Sequence, residues 1–551
     1  MKSLIFILII VCSVCLISYG IWNADLPLGD EAGHISNGLK LIEEGGGSSN
    51  SYYIFYAGIL KFITPDPVNA HIICRSITSL AASVLMFIFL RSFSFIGSSI
   101  SILLAVAFWI SCRLNVPLVQ FGNINLFCLC LIFPSLILII RKITVNRSLF
   151  FILSLFWASK TRPEYNAPLL LFVIYIVTMT IFSLRRTGID RFKLFKSLNI
   201  TGIILCILLT ISLIIGKSEK TNVNLDMYLR LGLDQCYASL YSKLHPERKI
   251  STMVEYREVT EDVFGPGGFK DAFIRNPTEV VKYLALNGTI NTVILVPGLI
   301  RHRAIFIPES YGKKGEIIQI ILFLVVFIFG TVIGIRKHIS KPLIRNFKKS
   351  VIDLLFEKNL IILLILASSS SAGILLLIPD PRYWTTFIPL VFVWIAWSIH
   401  SIVCIFEVSR PMIAVSAVIV IALCHPMFPF TAQVRLSTES NHNLILKMRE
   451  SAAQYPAKVP VVSGLYPSSL AIFAFGNKQE SVSIGSFSID SIKSGDYDFI
   501  SIDSYFRDSS FWNKNSEFMG EFEANPGKFK YKLIGITNDK YKLSVYARQR
   551  G

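Results

Sequence analysis

Charge is scarce in this chain of 551 residues. Asp, Glu, Lys and Arg make up 16% of it, against about a quarter in an average soluble protein. Acids are the scarcer sign, 36 against 54 Lys and Arg. The few charges sit in short segments between long apolar runs, which excludes most soluble enzyme classes. A disulfide framework is missing too. Of the ten cysteines, Cys12, Cys15, Cys74, Cys112, Cys128, Cys130, Cys206, Cys404 and Cys424 fall in or beside apolar runs, and only Cys236 lies in a polar segment. They form no metal-ligand pattern and read as small apolar packing residues. No internal repeat stands out. The first apolar stretch, Leu4 to Ile21, is not followed by a small-residue cleavage site, so it reads as an uncleaved anchor instead of a removed signal.

What the chain has in excess is apolar sequence, 53% of its residues. A membrane-crossing helix needs about 20 such residues in a row. On that basis spans are expected at 4–21, 69–90, 97–114, 120–140, 148–160, 166–184, 198–216, 316–335, 359–379, 385–405 and 411–428, eleven in all. The cationic clusters are Arg141, Lys142 and Arg147, then Arg185, Arg186, Arg191, Lys193 and Lys196, then Arg336 to Lys349. With the N-terminus in the cytoplasm, all three land on the inner side, and the long polar segments land outside. Basic loops on the inner face are the expected bias, so the net charge of +18 reflects topology and not nucleic-acid binding. The expected fold is a polytopic α-helical membrane module over 1–430, with outer loops 22–68 and 216–315, followed by a small extracytoplasmic α/β domain over 431–551.

In the first outer loop, Ile35, Leu39 and Ile42 recur at helical spacing from Glu31 to Glu44, and Gly45-Gly46-Gly47 ends that helix. The aromatic stretch Tyr52-Tyr53-Ile54-Phe55-Tyr56 follows and suits the headgroup layer. The 216–315 loop carries a turn at Gly265-Pro266-Gly267-Gly268 and a glycosylation sequon at Asn287. In the last segment Val459–Leu465, Asp498–Asp503, Lys530–Ile536 and Tyr541–Ala547 alternate like strands, Asn538-Asp539 suits a hairpin turn, and Pro467–Phe475 reads as a crossover helix.

The residues with chemical interest begin at Leu26-Pro27-Leu28-Gly29-Asp30-Glu31-Ala32. Two adjacent acids close to a span end are functional or paired more often than not. A carboxylate there can act as a general base. Equally, Asp30 can cap the amphipathic helix while Glu31 complements its dipole. The order of features extends the first reading: an acidic pair, an amphipathic helix, an aromatic helix, then Arg75 early in the second span, within Ile72-Ile73-Cys74-Arg75-Ser76-Ile77-Thr78. That series resembles the GT-C membrane glycosyltransferases, in the branch of the protein O-mannosyltransferases and the lipid A aminoarabinose transferase. Ala158-Ser159-Lys160-Thr161-Arg162-Pro163-Glu164 is similar to that branch's inter-span turn. Ile378-Pro379-Asp380-Pro381-Arg382-Tyr383-Trp384 with Phe387-Ile388-Pro389-Leu390 is similar to its late motif. The resemblance covers residues 1–185 and 375–395 and weakens elsewhere.

The resemblance implies an inverting glycosyltransferase that moves a sugar from a polyprenyl-phosphate donor to a lipid, glycan or protein acceptor. It implies Asp30 as the base, with Glu31 and Glu164 orienting the acceptor or the arginines. Arg75, Lys160, Arg162 and Arg382 would hold the donor phosphate, and Tyr383 and Trp384 would border lipid or sugar. The expected topology puts Arg75, Arg162 and Arg382 at outer span ends, where lipid anchoring is the competing role. His34 departs from the family, which carries an aromatic residue there. With Asp30 and Glu31 it makes a carboxylate–imidazole set suited to a divalent cation, or it is simply a polar surface histidine; no other cofactor is expected. A flippase for lipid-linked sugars and a non-catalytic scaffold are the competing functions. Against the flippase, no span has an acid near its middle and no repeats are paired. The expected location is a bacterial inner membrane.

Overall fold

The computed structural model describes residues 30–45, 48, 50–93, 96–113, 123–187, isolated positions between 226 and 238, 253–285, 287, 358–376, 386–405, 440–453, 461–463, 467–477, 480–482, 487–507, 509–537 and 542–549. The expected spans 4–21, 198–216, 316–335 and 411–428 lie outside the described residues. Every expected apolar segment that falls among them is a helix.

The first loop forms α1, Asp30–Glu44, and α2, Ser51–Phe62. Gly45 ends α1 in the left-handed region at φ 62°, a conformation glycine adopts without strain. Asp30, the first described residue of the chain, is itself helical. The Asn50 side chain caps α2 by accepting from the Tyr52 amide at 3.0 Å. The apolar helices follow as α3 Pro67–Leu90, α4 Ser98–Arg113, α5 Asn123–Arg141, α6 Val145–Thr161 and α7 Asn166–Thr187, with α8 Lys358–Leu376 and α9 Ile388–Ile405 later in the chain. Asp66 caps α3, accepting from Asn69 N at 3.2 Å, and Pro67 occupies the first helical position, where a missing amide costs nothing. Two helices, Pro67–Leu90 and Ile124–Arg141, are long and apolar enough to cross a membrane. Together α3 to α9 share one core that runs through Met86, Phe89, Phe108, Phe133, Phe151, Phe172, Leu366 and Ala396.

The expected turn at Gly265–Gly268 separates the helices Met253–Phe264 and Phe269–Arg275. Asn287 of the sequon is buried, 4% exposed.

The C-terminal segment is a mixed α/β domain, with α10 Asn441–Ala453, β1 Val461–Ser463, α11 Pro467–Phe475, β2 Glu480–Val482, β3 Phe499–Ile502, β4 Tyr531–Ile536 and β5 Ser544–Arg548. The sheet order is β2-β1-β3-β5-β4. β1 pairs parallel with β2 and β3, while β5 runs antiparallel between β3 and β4. Four strands and the crossover helix were expected; β2, three residues long, was not.

The two sheet faces enter different cores. On β3 and β5, Phe499, Val545 and Ala547 point to one side, and Ile500, Ile502 and Tyr546 to the other, as a two-residue period requires. The second side is closed by Phe487, Ile492, Met519, Phe522 and Phe529 of the same domain. The first side continues through Leu444, Met448, Leu470 and Phe473 into Ala32, Ile35, Tyr52, Tyr56, Ile59 and Val68 of the first loop and α3. The C-terminal domain and the first loop are thus built around a single core. Ser36 Oγ donates to Asn477 Oδ1 at 2.8 Å, and Asn477 Nδ2 donates back to Ser36 O at 3.2 Å.

Phe473 is fully buried in that core, and truncating an aromatic to alanine at such a site costs about 3–5 kcal/mol. Phe473→Ala is expected to lower the unfolding midpoint of the purified chain and to speed tryptic cleavage at Lys40 and Lys61, both exposed on the first loop. Unchanged cleavage there would mean that the loop holds its shape without the domain.

Candidate functional site

Helix α6 stops because Pro163 follows it. A residue before proline is pushed out of the helical region, and Arg162 is extended at φ −141° and ψ 117°. Its guanidinium turns to two partners. Nε donates to Glu164 Oε1 at 2.5 Å, and Nη1 donates to Asn125 Oδ1 at 2.7 Å. Both charged side chains are mostly covered, 15% and 23% exposed. This is a charge-assisted pair whose third member, Asn125, sits at the start of α5.

One side chain ties this turn to the first loop. Asn50, besides capping α2, donates from Nδ2 to Thr161 O at 3.4 Å, the carbonyl just before Arg162. The buried Tyr52 and the half-buried Phe55 then lie against Phe127 of α5, with ring centres 5.4 and 5.2 Å away. The Tyr52 hydroxyl is 3.6 Å from Cys74 Sγ, and the Tyr56 hydroxyl 3.4 Å from His71 Nδ1. Both contacts land on α3 beside Arg75, which is 2% exposed. The aromatic helix α2 is therefore the piece that joins the arginine of α3 to the arginine turn after α6.

The expected residues fall into distinct groups. Arg162 and Glu164 are brought together as an ion pair, and Arg75 lies on the adjoining helix under the same tyrosines. Lys160 places its ammonium 5.5 Å from the centre of the Phe156 ring, one turn back on its own helix, and among the described residues it makes no hydrogen bond or ion pair with the Arg162 group. His34 packs on the aromatic helix, edge-on to Tyr52 at 5.4 Å and tilted on Tyr53 at 5.8 Å. Asp30 and Glu31 open α1, but their carboxylates lie outside what is described, as do Arg382, Tyr383 and Trp384. Among the described residues no group of three or more His, Cys, Asp or Glu side chains is gathered as a metal site. Asn50 and Asn125 escaped sequence reasoning, because a single asparagine in an apolar context carries no motif. Their positions two residues before the aromatic run and near the start of an expected span were the available signals.

Asn125 is 3% exposed, so its loss would leave a covered guanidinium N–H without that acceptor. Asn125→Leu is expected to destabilise the purified chain by about 1–3 kcal/mol, read as a lower thermal midpoint, whereas Asn125→Asp keeps an acceptor and most of the stability. Equal midpoints for Asn125→Leu and the parent would show that Arg162 needs no partner there.

Compared with known protein families and characterised proteins, the chain matches no family model and no curated protein.

Proposed function

We propose that this chain is a polytopic membrane enzyme of the GT-C kind, an inverting glycosyltransferase that uses a polyprenyl-phosphate sugar at the outer membrane face. The observation that carries the reading is the convergence just described. Helix α2, directly after the acid-bearing helix, is bonded to the turn of Arg162 and packed on the helix of Arg75, although these elements are far apart in sequence.

A second feature supports a lipid environment. Helix α3 buries polar side chains among its apolar ones and exposes apolar side chains. Its His71, Arg75, Thr78, Ser79 and Ser83 are buried, while Ile77, Leu80 and Val84 are 43%, 42% and 50% exposed. A surface helix of a water-soluble protein carries polar residues on its exposed face instead. Helix α7 likewise exposes Leu170, Leu171, Ile174, Val177 and Met179. The hydroxyls are closed on their own helices: Thr78 Oγ1 donates to Cys74 O at 2.8 Å, Ser83 Oγ to Ser79 O at 2.7 Å and Ser154 Oγ to Phe150 O at 2.9 Å. Hydroxyls satisfied in this way place no unmet polar group in hydrocarbon.

In this reading the guanidinium groups of Arg75 and Arg162, with Arg382 and Lys160, receive the donor phosphate, for which arginine has the matching fork of donors. The Asp30 carboxylate takes the proton of the acceptor hydroxyl or amine. The freed electron pair forms the bond to the anomeric carbon from the face opposite the phosphate, and the bond from that carbon to the phosphate oxygen breaks. Polyprenyl monophosphate leaves with the electron pair. The departing phosphate needs no proton, so a single base is sufficient. Glu31 and Glu164 orient the acceptor and the arginines, Glu164 through its bond to Arg162.

Asp30→Asn keeps a side chain suited to a helix start and removes only the basicity. It is expected to lower sugar transfer in isolated membranes by about 10²–10⁴-fold, with expression unchanged, while Glu31→Gln loses less. Full transfer by Asp30→Asn sinks the assignment of Asp30 as base.

A further inference from the structure

We propose that Arg449 of the C-terminal domain is a positioning residue for the donor-phosphate site, acting through Asp66 and the helix that carries Arg75. The inference rests on the function proposed above and gives the C-terminal domain a part in it.

The geometry is a clamp between two helix ends. Arg449, in the third turn of α10, donates from Nη2 to Asp66 Oδ1 at 2.6 Å. The same guanidinium donates from Nη2 to Phe473 O at 2.7 Å and from Nε to Ala474 O at 3.0 Å. Those two carbonyls belong to the last turn of α11, where helix acceptors have no partner within the helix and where a cation is favoured by the helix dipole. Asp66 is the cap of α3 through its other oxygen. One guanidinium therefore satisfies the C-terminal end of α11 and holds the cap of α3, across 383 residues of sequence.

A second contact fixes the rotation of α3 about its axis. The Phe473 ring meets the His71 ring edge-on at 5.8 Å, and His71 in turn lies 3.4 Å from the Tyr56 hydroxyl. His71 is four residues before Arg75, so the two share one helix face about 6 Å apart along the axis. With the end of α3 held at Asp66 and its face held at His71, the direction of Arg75 is set by the C-terminal domain. Neither contact touches Asp30 or the Arg162 turn.

A rigid helix transmits a displacement at its cap to a side chain two to three turns on, and a binding geometry lost by a fraction of an ångström is costly. Arg449 does not touch substrate in this arrangement; it orients a residue that does.

The test uses the full chain in detergent and titrates farnesyl monophosphate, a short polyprenyl phosphate, by tryptophan fluorescence. Arg449→Gln is expected to weaken binding about tenfold, the equivalent of losing one charge-assisted hydrogen bond. Asp66→Asn keeps the helix cap for Asn69 but not the charge, and is expected to weaken binding in the same direction. Arg449→Lys, which can reach Asp66 but not both carbonyls, should recover part of the loss. Arg507→Gln is the control, because Arg507 pairs with Glu523 at 2.7 Å inside the same domain and not with the first loop; its binding should stay within about twofold of the parent. In transfer assays the donor KM should rise for Arg449→Gln while kcat and the acceptor KM hold. Parent-like binding by both Arg449→Gln and Asp66→Asn overturns the proposal and leaves the proposed function standing. Equal loss in Arg507→Gln overturns it as well, because general destabilisation would then account for the effect. If the parent binds no farnesyl monophosphate, the donor site itself fails and Arg449 has nothing to position.

Discussion

Two short amphipathic helices cannot hold themselves together in water or on a membrane surface. Isolated helices of fewer than about 12–15 residues are marginal, and α1 and α2 are 15 and 12 residues long. Their apolar faces must be covered, and the cover is the sheet and helices α10 and α11 of the C-terminal domain. Everything proposed for the site follows from this. Ile35, Tyr52, Tyr56 and Ile59 are fully or almost fully buried in a core shared with Leu444, Leu470, Phe473 and Val545, and each large apolar side chain so buried is worth about 1.5–3 kcal/mol. Once that core forms, α2 has one position relative to α3 and α5, and its polar end at Asn50 falls against the Thr161 carbonyl.

Charge then has to be placed where this packing leaves a partner. A guanidinium taken out of water, as Arg162 largely is and Arg449 only in part, is stabilised by acceptors arranged around it. Arg162 meets Glu164 and Asn125, and Arg449 meets a carboxylate and two helix-end carbonyls. In both cases an arginine joins pieces of chain that the hydrophobic core had already brought close, and the planar fork of donors decides the angle between them. The apolar core supplies the adhesion and the arginines supply the register.

Much of this was legible in the sequence, and the parts that were not share a physical cause. The helices α3 to α9, the Gly45 stop, the Gly265–Gly268 turn, the crossover helix and four strands were readable because each is a local pattern of period, cap or turn. The segment around Pro163 was readable as a turn between apolar stretches, while the direct bond from Arg162 to Glu164 came from the structure. What the sequence could not reveal was contact between distant segments. The docking of residues 441–477 on residues 32–72 depends on which apolar faces meet, and hydrophobic burial has no direction of its own. Ser36 with Asn477, Asp66 with Arg449 and Asn50 with Thr161 are single polar pairs with nothing in their neighbouring residues to mark them. The packing of His34 against Tyr52 and Tyr53 is likewise a contact between the two helices that its own neighbours in sequence do not mark. β2 escaped notice because three residues carry too little alternation to register.

The use of both sheet faces also bears on the idea that the C-terminal domain is a platform for a partner protein. One face is closed by the domain's own aromatic residues and the other by the first loop, so a partner would have to add at an edge. β2 is described over three residues, Glu480–Val482, at one edge of the sheet. β4 is longer, but it is interrupted by a register shift between Leu533 and Gly535 and carries the exposed Lys532, two features that blunt an edge against pairing. The irregularity has its own local cause: a β-carbon at Gly535 would come within 2.4 Å of Leu444 Cδ2, so α10 approaches the strand only because glycine stands there. The same helix carries Arg449, which pairs with Asp66. The C-terminal domain thus turns one face of its sheet toward the first loop and the other toward its own aromatic residues.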